Sequence, residues 1–245
     1  MTNPIIQIQD LHKSYSRGFF RKSSPVLNNI CLEINSGEAW ALIGPNGAGK
    51  TTMLHCLLGF LKPDSGFVKI FNKIPTVTAT KKRIGFQSEI FYTYDFLTAH
   101  EVLTFYGSLS GIKKIELSKR ISKYLKLLNL FDVKDVKVKN FSKGMLQRLG
   151  IANSLLKEPD IIIWDEPCSG LDPEGRLLIT TISHQLISEG KTLLFSSHVL
   201  SEVESICNHV CLIKNGKILL NGNIDEIKSH SPHKSLEDIY MGHVK

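Results

Sequence analysis

The 245-residue sequence predicts an α/β fold with a largely parallel sheet and an inserted helical subdomain. Three observations predict it. Short continuous apolar runs, "IIIWDE" at 161–166 and "TLLFSS" at 192–197, have the pattern of strands buried on both faces of a parallel sheet. Helical signals alternate with such runs in the order of βαβ units. The middle of the chain, about residues 90–157, is by contrast helical nearly throughout. The length suits one large α/β domain or two small ones, long enough to bury a sizeable core.

Taken in order, a strand is expected at Ile5 to Ile8 and another at Glu38 to Ile43, the second leading into a Gly-rich turn. The basic stretch "SRGFFRKSSP" between them reads as an exposed loop. "TTMLHCLL" can form a helix. In the middle region Thr98 and Glu101 have the spacing of a capping box, and Leu117, Ile121, Tyr124, Leu125 and Leu128 form one apolar stripe. Asp172 before Pro173 makes a cap and first-turn pair for a later helix, which Gly190 ends. No internal repeat or low-complexity tract is present.

The formal charge of +7 is uneven: residues 1–157 carry 23 Lys and Arg against 10 Asp and Glu, whereas residues 158–245 carry 7 against 13. The basic part would suit phosphates, nucleic acid or an anionic membrane surface, although a solvated basic face also accounts for it. Five cysteines (31, 56, 168, 207 and 211) include no CxxC pair, and an odd number argues against a disulfide framework and for a reducing compartment. Cys207, His209 and Cys211 invite comparison with a metal site, but in an apolar segment core packing explains them better. There is no signal-peptide h-region, and no apolar run approaches the ~18 residues of a membrane helix. Any membrane role is therefore expected to come through a partner.

The chemistry lies in two stretches. "GPNGAGKT", residues 44–51, fits GxxxxGK[ST] between an apolar strand and a helix. Glycines in such a loop let backbone N–H groups close around phosphates, and the helix start adds a positive dipole end. Gly44, Pro45, Asn46, Gly47, Ala48 and Gly49, with Thr52 beyond, are the expected phosphate cradle; Lys50 would neutralise β/γ oxygens and Thr51 would ligate magnesium. In "IIIWDEP" an apolar strand delivers Asp165 for the magnesium shell, and Glu166 beside it can orient or deprotonate water. An acidic pair at a strand end can also be a helix cap, and the phosphate loop is what favours the chemical reading.

With these motifs in order, the chain resembles the nucleotide-binding subunits of ATP-binding cassette (ABC) transporters over nearly its whole length, from Tyr15 to His198. The resemblance implies a P-loop NTPase core of ABC ATPase type with an inserted helical subdomain and an N-terminal antiparallel β subdomain. The expected divisions are a core of residues 1–87 and 158–224, a helical subdomain of about 88–157 and a tail of 225–245. It further implies that Tyr15 stacks on adenine and that Gln87 in "GFQSE" touches magnesium and couples to a transmembrane partner. "SGLD", 169–172, would cross to the other subunit with Asp172 among the nucleotide contacts, and His198 would contact the γ-phosphate.

"FSKGMLQR", 141–148, stands where the family has its signature, usually LSGGQ, just before a helix. By resemblance, Ser142 and the N–H groups around Gly144 point at the γ-phosphate of an ATP held by the other subunit. Phe141, Lys143 and Met145 replace the common Leu, Gly and Gln, while Gln147 and Arg148 fit the pattern beyond the signature.

The resulting expectation is an ATPase subunit with ATP and Mg2+ as cofactors. It pairs head to tail with a second copy or a related subunit and sits at the inner face of the cell membrane on separate permease subunits. Glu166 is the expected base, Lys50 and His198 stabilise transferred charge, and Thr51, Gln87 and Asp165 manage the metal. The chain's extent and the tail "SLEDIYM" suggest an ABC-2-like exporter subunit rather than a sugar importer with a regulatory domain. The alternatives are a soluble assembly ATPase of the iron–sulfur scaffold type and a nucleic-acid-associated ATPase. The chain has neither the charged linker nor the long coiled coil of the nucleic-acid types, so no nucleic acid is expected. "SEIFYTYDFLT", after Gln87, is apolar and aromatic enough either to receive a partner's coupling helix or to pack against the subdomain.

Overall fold

A computed structural model describes residues 4–15, 24–230 and 235–244, and divides the chain into two compact units. The first comprises residues 1–81 and 196–245, the second 82–195.

The first unit opens with β1 (Ile6–Tyr15), β2 (Ser24–Ile34), β3 (Ala39–Ile43), α1 (Lys50–Leu57), β4 (Ser65–Ile70) and a short α2 (Thr78–Lys81). β1 lies between β2 and β4, antiparallel to both, with Ile6 opposite Ile34 and Ile70 and Ile8 opposite Leu32 and Val68. Ile6 and Ile8 are buried while Gln7 between them is not, the period-two alternation of a one-sided antiparallel sheet. The expected strand at Ile5 to Ile8 runs on to Tyr15 because β1 has a pairing partner on each edge. The expected basic loop, "SRGFFRKSSP", lies outside the described residues except Ser24 and Pro25, which open β2.

β3 is buried at all five positions, the burial expected of a central strand. Glu38 stands before it rather than within it. Its carboxylate accepts from Asn35 N (2.9 Å), Asn35 Nδ2 (2.8 Å) and Trp40 Nε1 (2.7 Å), closing the turn that launches the strand. Burial pushes this carboxyl's pKa up, but the hydrogen bonds to its charged form outweigh burial and hold it below the usual value.

The second unit contains β5 (Ile84–Gln87), α3 (Ala99–Leu109), α4 (Lys114–Leu127), two 3-10 turns (Phe131–Val133 and Val138–Asn140), α5 (Lys143–Leu155), β6 (Ile161–Asp165), α6 (Pro173–Ser188) and most of β7 (Thr192–Ser197). β5 and β6 are parallel, Ile84 opposite Ile161 and Gln87 opposite Trp164. β6 and β7 are buried throughout, as their apolar runs predict. The reciprocal Thr98–Glu101 capping box starts α3. The stripe of Leu117, Ile121, Tyr124 and Leu125 on α4, with Leu128 just past its end, is buried. Asp172 caps α6 by accepting from Gly175 N at 2.8 Å, Pro173 occupies its first turn, and Gly190 follows its end with φ 78°. Trp164 donates through Nε1 to Ser154 Oγ (3.0 Å), so this buried indole is satisfied.

From Ser196 the chain is again in the first unit, with α7 (Leu200–Ile206), β8 (His209–Lys214), β9 (Lys217–Asn223), α8 (Ile224–His230) and α9 (Leu236–Val244). β8 runs parallel to β3, Ala41 opposite Val210 and Ile43 opposite Leu212, and β9 is antiparallel to β8. The ring of Trp40 stacks on His209 with centroids 4.8 Å apart. Cys207 and Cys211 are buried, and burial pushes both thiols well above the ordinary range. Among the described residues no group of three or more His, Cys, Asp or Glu is placed to hold a metal, and core packing accounts for this cluster. All five cysteines are free, and no described helix is long and apolar enough to cross a membrane.

Candidate functional site

In the first unit the phosphate-type loop lies between β3 and α1. Gly44 (φ 155°), Gly47 (φ 77°) and Gly49 (φ 110°) all take backbone conformations that side chains rarely adopt. A Cβ on Gly44 would collide with the Ile213 carbonyl oxygen of β8, and one on Gly49 would come within 2.8 Å of Leu27 Cδ2 and 3.0 Å of Val26 O. The loop is therefore wedged between β2 and β8. Gly49 is the N-cap of α1 and offers no side chain, and the first turn of α1 holds no acidic residue. That helix end presents uncompensated positive dipole to the loop. Lys50 is buried and arches back across the loop, donating to Gly44 O (2.6 Å) and Pro45 O (3.4 Å). Asn46, Gly47 and Thr51 are exposed on the loop's open side, whereas Ala48 is buried.

A support for this loop that the motif does not announce is Gly216. Its N–H donates to Ala48 O (3.0 Å) and its carbonyl accepts from Asn28 N (2.8 Å). Asn215 (φ 49°) and Gly216 (φ 72°) form the turn between β8 and β9, and the Asn-Gly pair between two apolar runs is its legible signal. At the same unit's other motif positions, Tyr15 ends β1 with 40% of its surface exposed, and His198 is exposed just after β7. Ser197 shapes the turn at His198: its Oγ accepts from Val199 N (3.0 Å) and donates to Glu202 Oε2 (2.9 Å).

In the second unit Asp165 ends β6, buried, and Glu166 follows at φ 50°. A non-glycine residue held there costs on the order of 1–2 kcal/mol. Its carbonyl accepts from Ser169 N (3.0 Å) and Gln147 Nε2 (3.2 Å), which retain the strained turn. Gln87, 1% exposed, donates to Ser88 O (2.9 Å) and is seated against Gly150 of α5, where a Cβ would collide with its amide. Gly150 is thus a seat for Gln87, and only the packing reveals it. Beyond Gln87 the aromatic stretch divides: Phe91 packs inward against Tyr106, while Tyr92 (80% exposed), Tyr94 and Phe96 remain on the surface.

Ser142 is the N-cap of α5, accepting from Met145 N at 3.2 Å. Accepting through a lone pair keeps its O–H available as a donor. Ser142 and Lys143 are exposed, and the first turn of α5 has no acidic residue. Lys143 folds over the "SGLD" loop: its Nζ donates to Ser169 Oγ (3.4 Å), and a Cβ on Gly170 would come within 2.6 Å of its Cδ. Gly144 faces the same loop, its Cβ position 3.3 Å from Leu171 Cδ2. Arg148 secures the other side of α5 by donating to Leu128 O (2.9 Å) and Asn129 O (3.3 Å). Asp172 is engaged as the cap of α6.

We expect Gly44→Ala to lower the folding stability by about 3 kcal/mol, from the disfavoured φ and the collision with Ile213 O. Denaturant unfolding measures it, and an unchanged midpoint would remove the steric account of the loop.

Comparison with known proteins gives one family. The ABC transporter family model matches residues 27–169. An uncharacterized ABC transporter ATP-binding protein of Synechocystis is 38% identical over 226 residues; the match covers 91% of this chain, which spans 64% of that relative's length. The ABC transporter ATP-binding protein NatA of Bacillus subtilis is 36% identical over 92% of this chain and 94% of its own. A Nod factor export ATP-binding protein I of Cupriavidus metallidurans is 34% identical over 91% and 72%. Among solved structures, a dimeric ATP-binding cassette in a post-hydrolysis state, bound to ADP and Pi, superposes with a TM-score of 0.83 at 26% identity, covering 89% of this chain and 98% of that one. With a family model over more than half its length and relatives above 30% identity, one of them matched over 94% of its own length, the chain belongs to the ABC ATPases, as an ATP-binding subunit of an ABC transporter.

Proposed function

We propose that this subunit powers export through separate transmembrane subunits, by head-to-tail closure of two ATPase chains around two ATP molecules. The observation that carries the reading is the exposed start of α5: Ser142 caps it and its first turn holds no acidic residue, which leaves a helix end suited to an anion. An ATP held on the Gly44–Thr52 loop of a second chain is the ligand that this end fits. The post-hydrolysis cassette that this chain resembles is a dimer, which supports the same arrangement.

In this reading Tyr15 stacks on adenine, and Gly44 to Gly49 with Thr52 wrap the phosphates. Lys50 turns its ammonium from the loop carbonyls to the β/γ oxygens. Glu166 takes a proton from the water that attacks the γ-phosphorus, and His198 and Lys50 stabilise the charge on the transferred group. From the second chain, Ser142 O–H and the backbone N–H groups around Gly144 donate to γ-phosphate oxygens, with Asp172 joining the nucleotide contacts. Thr51, Gln87 and Asp165 would hold the cation, since each offers an oxygen donor of the type a hard ion such as Mg2+ takes. When bound, the cation supplies neutralisation of phosphate charge.

Closure contacts exist only while the γ-phosphate is in place, so ATP binding favours the closed dimer and hydrolysis removes that preference. Residues 88–157 act as the helical subdomain that transmits closure, with Tyr92, Tyr94 and Phe96 offering an apolar landing for a coupling helix. The subunit then sits at the inner face of the membrane on its permease partners. The export direction draws on the Nod factor export relative.

Affinity purification of Glu166→Gln from native membranes with MgATP, followed by mass spectrometry, tests the assignment. A polytopic membrane protein in the eluate supports it. Soluble partners alone would replace it with an assembly ATPase.

A further inference from the structure

Asp64, in the segment leaving α1, holds the end of β1 by its side chain. Its Oδ1 accepts from Lys13 Nζ (2.8 Å) and its Oδ2 from Ser14 N (2.7 Å), while its own N–H donates to His12 O (2.9 Å). Lys13 Nζ also donates to Lys62 O (2.8 Å). Four hydrogen bonds thus join His12–Ser14 to Lys62–Asp64, and the next residue along β1 is Tyr15.

Strand pairing is one-sided at this point: β2 continues alongside, with Tyr15 opposite Ser24, whereas β4 does not. The β1–β4 register ends at His12 opposite Ser65, short of Ser14 and Tyr15. On the other edge Ser14 faces Pro25, which has no N–H to give. The carboxylate therefore continues the ladder on the β4 edge, where backbone partners stop at His12.

The same acid is tied to the phosphate loop by the chain itself. α1 starts in that loop at Lys50, and its last turn is closed by Leu58 N to Leu54 O (2.9 Å), Phe60 N to His55 O (2.9 Å) and Leu61 N to His55 O (3.1 Å). Cys56 of α1 is an electrostatic neighbour of both Lys13 and Asp64. A hydrogen-bonded run leads from Lys50 to Leu61, three residues before Asp64, and Asp64 grips the residue before Tyr15.

We propose that Asp64 is a positioning residue for the nucleotide base: it fixes the Tyr15 ring at a set distance from the phosphate-binding end of α1, so that affinity depends on the base as well as the phosphates. The inference rests on the proposed stacking role of Tyr15. The hydrogen bond from Lys13 holds the Asp64 carboxyl below its usual pKa, so the grip is in its charged form at neutral pH.

The test is equilibrium binding of ATP and of inorganic tripolyphosphate, by calorimetry, to the full chain and to Asp64→Ala, Asp64→Asn, Tyr15→Ala and the Asp64→Ala/Tyr15→Ala pair. Stacking of a base on an aromatic side chain corresponds to roughly tenfold in affinity. Asp64→Ala and Tyr15→Ala should each weaken ATP by about that factor and leave tripolyphosphate unchanged. The double variant should be no weaker than either single one, and Asp64→Asn, which keeps an acceptor for Ser14 N, should recover most of the loss. Equal weakening of ATP and tripolyphosphate in Asp64→Ala would overturn the proposal, as would unchanged ATP affinity there alongside weakened binding in Tyr15→Ala. Unchanged ATP affinity in Tyr15→Ala would instead overturn the stacking role and the proposal with it.

Discussion

Glu166→Gln is expected to bind ATP as the unaltered chain does and to hydrolyse it roughly 10²–10⁴ times more slowly, the range for losing a positioned general base. The change exchanges one carboxylate oxygen for an amide of the same size. The φ of 50° and the bonds from Ser169 N and Gln147 Nε2 go to the backbone of residue 166, so the turn survives the exchange. Steady-state phosphate release together with nucleotide titration measures both halves. Wild-type-like turnover in this variant would refute the assignment of Glu166.

Ser142→Arg, placed in the Glu166→Gln background, is expected to leave ATP binding by the single chain intact and to abolish ATP-dependent pairing. Residue 142 is exposed at the start of α5, so a long side chain finds room without disturbing the core. Removing the Ser142 cap costs about 1 kcal/mol of stability, too little to unfold the domain. What the arginine fills is the approach to the α5 helix end, where the proposed γ-phosphate of the second chain must arrive. Light scattering with saturating MgATP reads the result, and unchanged dimer formation would count against the role given to the signature loop.

The sequence is most legible where backbone requirements leave few residue choices. Gly44, Gly47 and Gly49 mark the phosphate-type loop because the chain there takes positive φ and lies against β2 and β8. β6 and β7 are legible as continuous apolar runs because both faces are buried. Thr98 with Glu101, and Asp172 with Pro173, fix helix starts through bonds that span three residues. Contacts between distant residues leave no such mark. The room that Gly150 makes for Gln87, the Gly216 bond to Ala48 O and the grip of Asp64 on Ser14 join residues 50 or more apart, and no local pattern encodes them.

β1 shows the same limit within one element. Its apolar start is plain, but residues beyond Ile8 are largely polar, and pairing with β2 and β4, with the Asp64 carboxylate at the far end, holds them in the strand. Lys143 is a further case: as a sequence feature it is a departure from the usual signature, and packing turns it into a contact with Ser169 and Gly170.

The solution mass of Glu166→Gln, measured by light scattering with and without MgATP, tests the central claim most directly. A mass near the 27.5 kDa of one chain without nucleotide, doubling when MgATP is added, is the predicted result. A single-chain mass in both conditions, with ATP shown to be bound, would contradict it.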